Sequence, residues 1–283
     1  MQSVLNFIAI LILLTIFLSC ESNTNNIAPP NTKIESKDEF PAFNRELIID
    51  IKSDSIAAYA LIASGESLKE TVILIAGYPG NDNNFDIAQA IRRQGKNVIH
   101  FNHRGAWGSQ GNYTYSNCLE DIRALIKYLS QDDLSEKLRI NPNEFILLGR
   151  SYGGGIALLE GSQIDAVKKI IAISSVNYGV IMENYESLED LTNFKKYMKK
   201  QIMIQTNIDD FLQEMLDNKS KFNIVNYKDA LKDKKVLLIE DSKKNEDWIK
   251  ELETAEYLLM ESDHNFIDKR LDLTNLIINW IEN

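Results

Sequence analysis

Short apolar segments that alternate with amphipathic helical segments constrain the fold of this chain more than any other feature. From residue 71 onward, segments rich in Ile, Leu and Val are separated by stretches with helical periodicity. This alternation is typical of right-handed βαβ crossovers, which build a mostly parallel sheet with helices on its faces. The predicted strands are residues 45–51, 56–64, 71–77, 97–102, 144–149, 167–176, 234–240 and 255–262. The sequence therefore predicts one α/β domain over residues 45–283.

The strand–helix alternation stops between residues 178 and 231. This interval is rich in charged residues and helix formers, and no part of it has the pattern of a core strand. It leaves the sheet after the predicted strand 167–176 and returns to it at 234–240. We predict a helical cap insertion that covers the C-terminal edge of the sheet.

The N-terminal segment differs from the rest of the chain. Residues 4–18 form an apolar run, shorter than a typical spanning helix, that ends in Ser19-Cys20. The tetrapeptide "FLSC" resembles the lipobox of bacterial lipoproteins, in which signal peptidase cuts before a cysteine that becomes diacylated. The resemblance implies a signal peptide over residues 1–19, a lipid anchor on Cys20 and a place in the bacterial cell envelope, periplasmic or surface-facing. An uncleaved anchor is the alternative, and the polar composition of residues 20–44 predicts a flexible tether.

The net charge and the cysteine content limit which binding partners and which covalent cross-links are expected. The net charge is −10, which argues against nucleic acid because proteins that bind a phosphate backbone need a basic face. The chain has two cysteines, and lipidation of Cys20 would leave Cys118 without a partner. We therefore expect no disulfide framework.

A candidate nucleophile lies in the sequence Gly149-Arg150-Ser151-Tyr152-Gly153, between a predicted strand and a predicted helix. A serine on such a corner needs an unfavourable backbone conformation to project its Oγ, and the turn leaves room only for small flanking residues. The following helix directs its N-terminal N–H groups toward the serine. We predict that Ser151 is the nucleophile, with an ordinary glycine-rich connection as the alternative.

The nucleophile needs a general base, and the chain has three histidines. His100 lies inside the apolar strand 97–102, where a core or edge position is expected. His103 precedes Ser151 in a loop. His264 follows the last predicted strand, at the end that faces the same sheet edge as Ser151. We therefore predict His264 as the base.

An acid must hold the imidazole in the correct tautomer. The loop after strand 234–240 contains four carboxylates, Glu240, Asp241, Glu246 and Asp247. Asp241 lies directly beyond the strand and is our choice, but the sequence leaves the other three open.

Acyl transfer also needs N–H donors for the oxyanion. The backbone N–H of Tyr152, directly after the serine, is one predicted donor. The other is the backbone N–H of Tyr78 in "AGYPGN", where Gly77 allows a sharp turn after the third strand. A plain Tyr-Pro-Gly turn is the alternative for this loop.

Together these motifs resemble the α/β-hydrolase superfamily. The order Ser151, Asp241, His264 is the order of that superfamily, and "AGYPG" stands where many members have His-Gly-x-Pro-Gly. The segment "FNHRGAWGSQGNYT" resembles a loop of the subset related to serine aminopeptidases and prolyl oligopeptidases. The resemblance implies an α/β-hydrolase fold, a site wall shaped by the Arg104-Gly105 pair and later glycines, and hydrolysis without a metal or organic cofactor. Arg104 and Trp107 are candidates to line the pocket, and a structural role for Arg104 in holding this loop is the alternative.

Three functions are consistent with these features. The first is a membrane-tethered serine hydrolase that cleaves an ester or a small amide. The second is an aminopeptidase-type serine peptidase, which would need an acidic group in the cap to hold the substrate's amino group. Its candidates are Glu183, Glu186, Glu189 and Asp190. The third is a lipoprotein that uses a hydrolase fold only to bind a ligand.

Overall fold

The computed structural model describes residues 39–80 and 84–283. The predicted signal peptide, Cys20 and most of the predicted tether lie outside the described residues. None of the helices within the described ranges combines the length and the hydropathy needed to cross a bilayer.

Eight strands form one sheet in the order β1-β2-β4-β3-β5-β6-β7-β8. β1 pairs with β2 and β2 with β4 in antiparallel fashion, and every other neighbouring pair is parallel. The strands are β1 Phe43–Ile51, β2 Asp54–Ile62, β3 Lys69–Ile75, β4 Asn97–Phe101, β5 Ile140–Arg150, β6 Val167–Ile173, β7 Lys235–Glu240 and β8 Glu256–Leu259. The mostly parallel sheet predicted from the sequence is confirmed, with one strand at each predicted position.

Helices cover both faces of the sheet because alternate strand residues point to opposite sides. Val72 and Leu74 contribute to an apolar cluster with α1 and α10, whereas Ile73 and Ile75 belong to the larger cluster with α2 and α4. The α-helices are α1 Phe85–Arg93, α2 Tyr115–Leu129, α3 Asp132–Lys137, α4 Tyr152–Gly161, α5 Tyr178–Met182, α6 Thr192–Met198, α7 Ile208–Asp217, α8 Lys228–Leu231, α9 Glu246–Ile249 and α10 Arg270–Glu282. Short 3₁₀ turns cover Ile224–Tyr227 and Lys243–Asn245.

The interval 178–231 holds the helices α5 to α8 and contributes no strand to the sheet. Its middle part is joined by backbone hydrogen bonds to the loop after β4. Gln205 N donates to Gly105 O at 2.7 Å, and Tyr113 N donates to Gln205 O at 2.8 Å. The cap is thereby attached to the same loop that approaches the C-terminal edge of the sheet.

Candidate active site

Ser151 lies at the corner between β5 and α4, with φ 54° and ψ −118°. A non-glycine residue in this backbone region costs roughly 1–3 kcal/mol, so its surroundings must impose the conformation. They do so through two backbone hydrogen bonds: Ser151 N donates to Ile173 O at 2.7 Å, and Val176 N donates to Ser151 O at 3.1 Å. The corner is thus held by the end of the neighbouring strand β6.

Glycines at positions 149 and 153 give this corner the clearance it needs. A Cβ on Gly149 would lie 2.1 Å from Gly153 O, and a Cβ on Gly153 would lie 2.2 Å from Ile75 O. Both obstacles are backbone atoms, which cannot move without moving the sheet. A Cβ on Gly155 would meet Val176 O at 2.3 Å, so this glycine permits close packing of α4 against the loop after β6.

His264 lies in the loop after β8, and its side chain is 44% exposed. Its Nδ1 is 2.8 Å from Oδ2 of Asp241, which directly follows β7. β5, β7 and β8 run parallel, so their carboxyl ends bring Ser151, Asp241 and His264 to one edge of the sheet.

Asp241 is buried and accepts further hydrogen bonds. Ser242 Oγ donates to Oδ1 at 2.8 Å, and Lys244 Nζ lies 3.1 Å from Oδ1 and 3.2 Å from Oδ2. Burial disfavours the charged form, but the hydrogen bonds from His264, Ser242 and Lys244 outweigh it and hold the pKa of Asp241 well below its usual range. The group facing His264 is therefore a carboxylate.

The three other carboxylates of this loop have different partners. Glu240 is fully buried and accepts hydrogen bonds from Ser175 N at 3.0 Å and from Asn245 Nδ2 at 2.8 Å. Burial raises the pKa of Glu240 to about 7. Glu246 and Asp247 lie in the first turn of α9, where Glu246 pairs with Lys250. Within the described part of the chain, Asp241 is the member of this set that bonds to His264.

The loop after β3 runs beside the serine. A Cβ on Gly77 would lie 3.3 Å from Ser151 Cβ, so the residue before Tyr78 packs directly against the serine. The Tyr78–Pro79 peptide is cis, and Trp107 Nε1 donates to Pro79 O at 2.6 Å. Tyr152 opens α4, so its N–H has no acceptor within the helix.

The loop after β4 is held by a buried ion-pair network. Arg104 Nε donates to Asp121 at 2.6 Å and its Nη2 to Glu120 at 2.7 Å, while His103 Nδ1 is 3.2 Å from Asp121. Burial opposes the charged form of His103, yet Cys118 and Asp121 beside it raise its pKa to about 10. Arg104 and His103 therefore stabilise the loop from within, and it is Trp107 that touches the Tyr78–Pro79 segment.

His100 belongs to the core, as expected from its strand. Its ring packs on Phe85 with a centroid distance of 5.4 Å. Burial lowers the pKa of His100 to about 4, so the imidazole is neutral at pH 7. Its Nε2 has no hydrogen-bond partner in the described structure.

An aromatic cavity of about 50 Å³ lies between the serine corner and the cap. Tyr152 and Tyr78 form its inner wall, and Tyr197 of α6, which is 47% exposed, forms part of its outer wall. The rings of Tyr78 and Tyr197 are in contact, with centroids 5.8 Å apart. The lining residues are Tyr78, Tyr152, Tyr178, Phe194, Tyr197, Met198, Phe211, Leu212 and Met215.

The strand order, the serine corner and the cap define the class of this protein as an α/β-hydrolase. The chain belongs to the BD-FAE family, whose sequence profile matches residues 68–268. A comparison with curated proteins gives no match.

Solved structures with the same fold include two esterases and a peptidase. Est1E from Butyrivibrio proteoclasticus has a TM-score of 0.63 and 13% identity, with 83% of this chain and 97% of that chain covered. The Pyrococcus furiosus esterase Pf2001 has a TM-score of 0.59 and 15% identity, with 86% and 92% covered. The Pyrococcus horikoshii acylaminoacyl peptidase has a TM-score of 0.64 and 14% identity, with 86% of this chain but 41% of that chain covered. At these identities the likeness establishes the fold.

Proposed function

We propose that the protein is a serine esterase that acts through an acyl-enzyme. The observation that carries the proposal is the 2.8 Å contact between His264 Nδ1 and the Asp241 carboxylate, at the sheet edge where Ser151 sits in its strained corner. A carboxylate on Nδ1 fixes the imidazole tautomer in which Nε2 is an acceptor. His264 is then ready to accept a proton from a serine hydroxyl.

The reaction follows from these positions. Ser151 Oγ attacks the ester carbonyl while His264 Nε2 takes its proton, and the N–H groups of Tyr78 and Tyr152 stabilise the oxyanion. His264 then protonates the departing alcohol, which leaves an acyl group on Ser151. Water, deprotonated by His264, attacks this acyl group and releases the acid. Asp241 stays ionised throughout and stabilises the imidazolium.

The aromatic lining of the cavity favours an apolar acyl group whose ring packs on it. At about 50 Å³ the cavity is smaller than the ~150 Å³ that holds a benzene ring, so Tyr197 must move aside for a ring to enter. Tyr78 and Tyr152 connect the cavity to both predicted oxyanion donors, so an acyl chain bound at Ser151 would extend into it. The hydroxyl of Tyr78 is buried without a hydrogen-bond partner in the described structure, so it is available to a polar ring substituent. One structure of the similar enzyme Est1E holds ferulic acid, a ligand of this kind. We propose aromatic carboxylic esters as the substrate class.

A peptidase is the second candidate, supported by the fold shared with an acylaminoacyl peptidase. The cavity lining includes no carboxylate to hold an amino group. The carboxylate of Asp190 instead accepts hydrogen bonds from the backbone of Glu186 and Ser187, and Glu183 is exposed. Esters are therefore the better-supported substrates.

The fluorophosphonate reaction of the full chain tests the proposed nucleophile. The wild type should be labelled and should cleave p-nitrophenyl esters, and Ser151→Ala should lose labelling and at least about 10³-fold of the turnover. An unlabelled wild type would contradict both enzymatic functions and favour a binding protein. Aminoacyl-anilide cleavage that exceeds ester cleavage would favour the peptidase.

We further propose that the enzyme is a lipoprotein anchored through Cys20 in the cell envelope, on the strength of the "FLSC" segment. Metabolic palmitate labelling should mark the wild type and fail in Cys20→Ala. Unlabelled wild-type protein would refute the anchor without affecting the proposed chemistry.

A further inference from the structure

Arg150 connects the serine corner to the loop that carries His264. It is the last residue of β5, directly before Ser151, and only 7% of its surface is exposed. Its Nη1 donates to the backbone carbonyl of His264 at 3.0 Å and to Oδ1 of Asn265 at 2.7 Å. The hydrogen bond to His264 thus joins two residues that are 114 positions apart in the sequence.

Apart from Arg150, the loop that carries His264 is attached through Ser262 N, which donates to Asp241 O at 3.3 Å, and through the Asp263 carboxylate, which accepts hydrogen bonds from the backbone of the two residues at 265 and 267. The loop follows β8, a four-residue strand at the edge of the sheet. The side chain of Phe266 is fully buried and that residue has φ 56°, but His264 and Asn265 are exposed. The Asp241 contact orients the imidazole and leaves the backbone position of His264 to other interactions.

We propose that Arg150 is a positioning residue, which sets the distance between the His264 backbone and Ser151. This inference rests on the proposed function, in which His264 takes the proton of Ser151. Arg150 is joined to Ser151 by a peptide bond and to His264 by a hydrogen bond. A movement of Ser151 or of the His264 backbone is therefore transmitted to the other residue through Arg150. Hydrogen bonds from a charged guanidinium are about twice as strong as neutral ones, which suits a link between two loops.

Mutating Arg150 should act on turnover more than on substrate affinity. A displacement of about 1 Å in a reacting group costs on the order of 100-fold in rate. Arg150→Met, which keeps the length of the stem but has no donor, should lower kcat by about 10- to 100-fold with KM within about threefold. Arg150→Lys keeps one charged donor and should retain an intermediate kcat.

Asn265→Ala supplies a matched variant at an exposed position, where the fold is not expected to depend on the side chain. It should lower kcat less than Arg150→Met does. Because the proposal has the Asn265 side chain act only through its hydrogen bond with Arg150, the double variant should be no slower than Arg150→Met alone. Additive losses would show that the two residues act independently and would overturn the proposal.

Fluorophosphonate titration of reactive Ser151 in each preparation, with kcat expressed per titrated site, separates positioning from folding. Lower kcat per site in Arg150→Met, with partial recovery in Arg150→Lys, supports the proposal. Unchanged kcat per site, with only fewer titratable sites or a lower Tm, would make the role structural and overturn it. These outcomes presuppose a labelled wild type, so failure of the proposed function itself appears separately, as a wild type without labelling. Should Arg150→Met fail to fold, Arg150→Lys and Asn265→Ala still give the comparison.

Discussion

The charge of Asp241 depends on its hydrogen bonds with His264, Ser242 and Lys244, which hold its pKa well below the usual value despite burial. An acid whose pKa is depressed in the folded state stabilises that state above the pKa of the unfolded chain, about 3.9. The contribution is lost as pH falls through the folded-state value. At pH 7 the carboxylate therefore supports the fold as well as the tautomer of His264.

Replacement of Asp241 by Asn keeps the shape but places an amide next to the imidazole, which favours the wrong tautomer. We expect Asp241→Asn to lower kcat by about 10³- to 10⁴-fold with little change in KM. Asp247→Asn, an exposed carboxylate in the same loop, should leave kcat within about twofold of wild type. Steady-state kinetics on a p-nitrophenyl ester measures both, and an Asp241→Asn variant with wild-type kcat would contradict the assignment.

At the residue scale, sequence order was sufficient to propose Ser151 and His264, because each directly follows a predicted strand that ends at the same sheet edge. The sequence alone did not determine which carboxylate bonds to the imidazole. Asp241 and Glu240 are adjacent in sequence, and only the opposite directions of successive strand residues send one to His264 and the other into the core. The Arg150–His264 bond had no sequence signal, since it joins distant segments through a single guanidinium.

The element that carries the nucleophile is a strand–helix corner packed against β3. The first two of the three glycines that follow Tyr152, Gly153 and Gly154, differ in what a side chain would meet. A Cβ on Gly153 faces the carbonyls of Ile75 and Ala76, whereas the nearest atom to a Cβ on Gly154 is Ser175 Oγ at 2.7 Å. The Ser175 hydroxyl can rotate away, which leaves Ser175 Cβ at 3.2 Å and Gly149 O at 3.3 Å as tight contacts, whereas the two carbonyls beside Gly153 cannot move without moving the sheet.

We therefore expect Gly153→Ala to destabilise the protein by at least about 3 kcal/mol or to prevent folding, because the strand must shift. Gly154→Ala should cost less, about 1–2 kcal/mol, since the tight contacts with Ser175 and Gly149 O are partly offset by the higher helix propensity of alanine. Urea denaturation of the two variants compares them directly. Equal losses would show that the strand contact does not limit the corner.

The cap was predictable as a helical interval but its attachment was not. The content of helix formers and charged residues and the absence of strand patterns identified residues 178–231, whereas the bridge between Ala106 and Ile204 pairs two irregular segments without periodicity. The cavity wall follows from this attachment, because it sets α6 over Tyr78. The proposed preference for an acyl group therefore could not be predicted from the sequence.

Removing the outer wall of the cavity should widen the range of acyl groups. We expect Tyr197→Ala to raise kcat/KM for esters with a bulky bicyclic acyl group several-fold relative to acetate esters, because the ring of Tyr197 contacts that of Tyr78 across the cavity. Tyr257→Ala, a partly exposed tyrosine on β8 that does not line the cavity, is the control. Unaltered selectivity in Tyr197→Ala would mean that the acyl group binds elsewhere.

At the scale of the molecule, the sequence predicted the positions of the strands correctly but did not predict their order in the sheet. The sequence predicted parallel pairing from crossovers but could not place β2 beside β4, since this pairing depends on which sheet edge the N-terminal hairpin covers. Strand ends also differed: β5 begins at Ile140 rather than 144, where an irregular register with Lys69 continues the pairing. Local periodicity has no information about such long-range pairings.

The large core beneath the cap also contains an acid that links stability to pH. Glu160 is 1% exposed in α4, and Arg123 Nε lies 2.9 Å from its carboxylate. Burial raises the pKa of Glu160 from 4.5 to about 7, and Arg123 and Lys221 offset this only in part. Between these two values the folded protein binds more protons than the unfolded chain, so this group's contribution to stability falls as pH rises.

Glu160→Gln should remove this dependence while keeping the shape of the side chain. We expect the free energy of unfolding of Glu160→Gln, relative to wild type, to increase from pH 5 to pH 8 by up to about 3 kcal/mol, because the variant never buries the charge. Glu253→Gln, at an exposed position, should show a constant difference from wild type over the same range. Urea denaturation at each pH provides the free energies. A Glu160→Gln variant whose stability relative to wild type falls toward pH 8 would show that the ion pair with Arg123 outweighs burial, and that the carboxylate stabilises the core in its charged form.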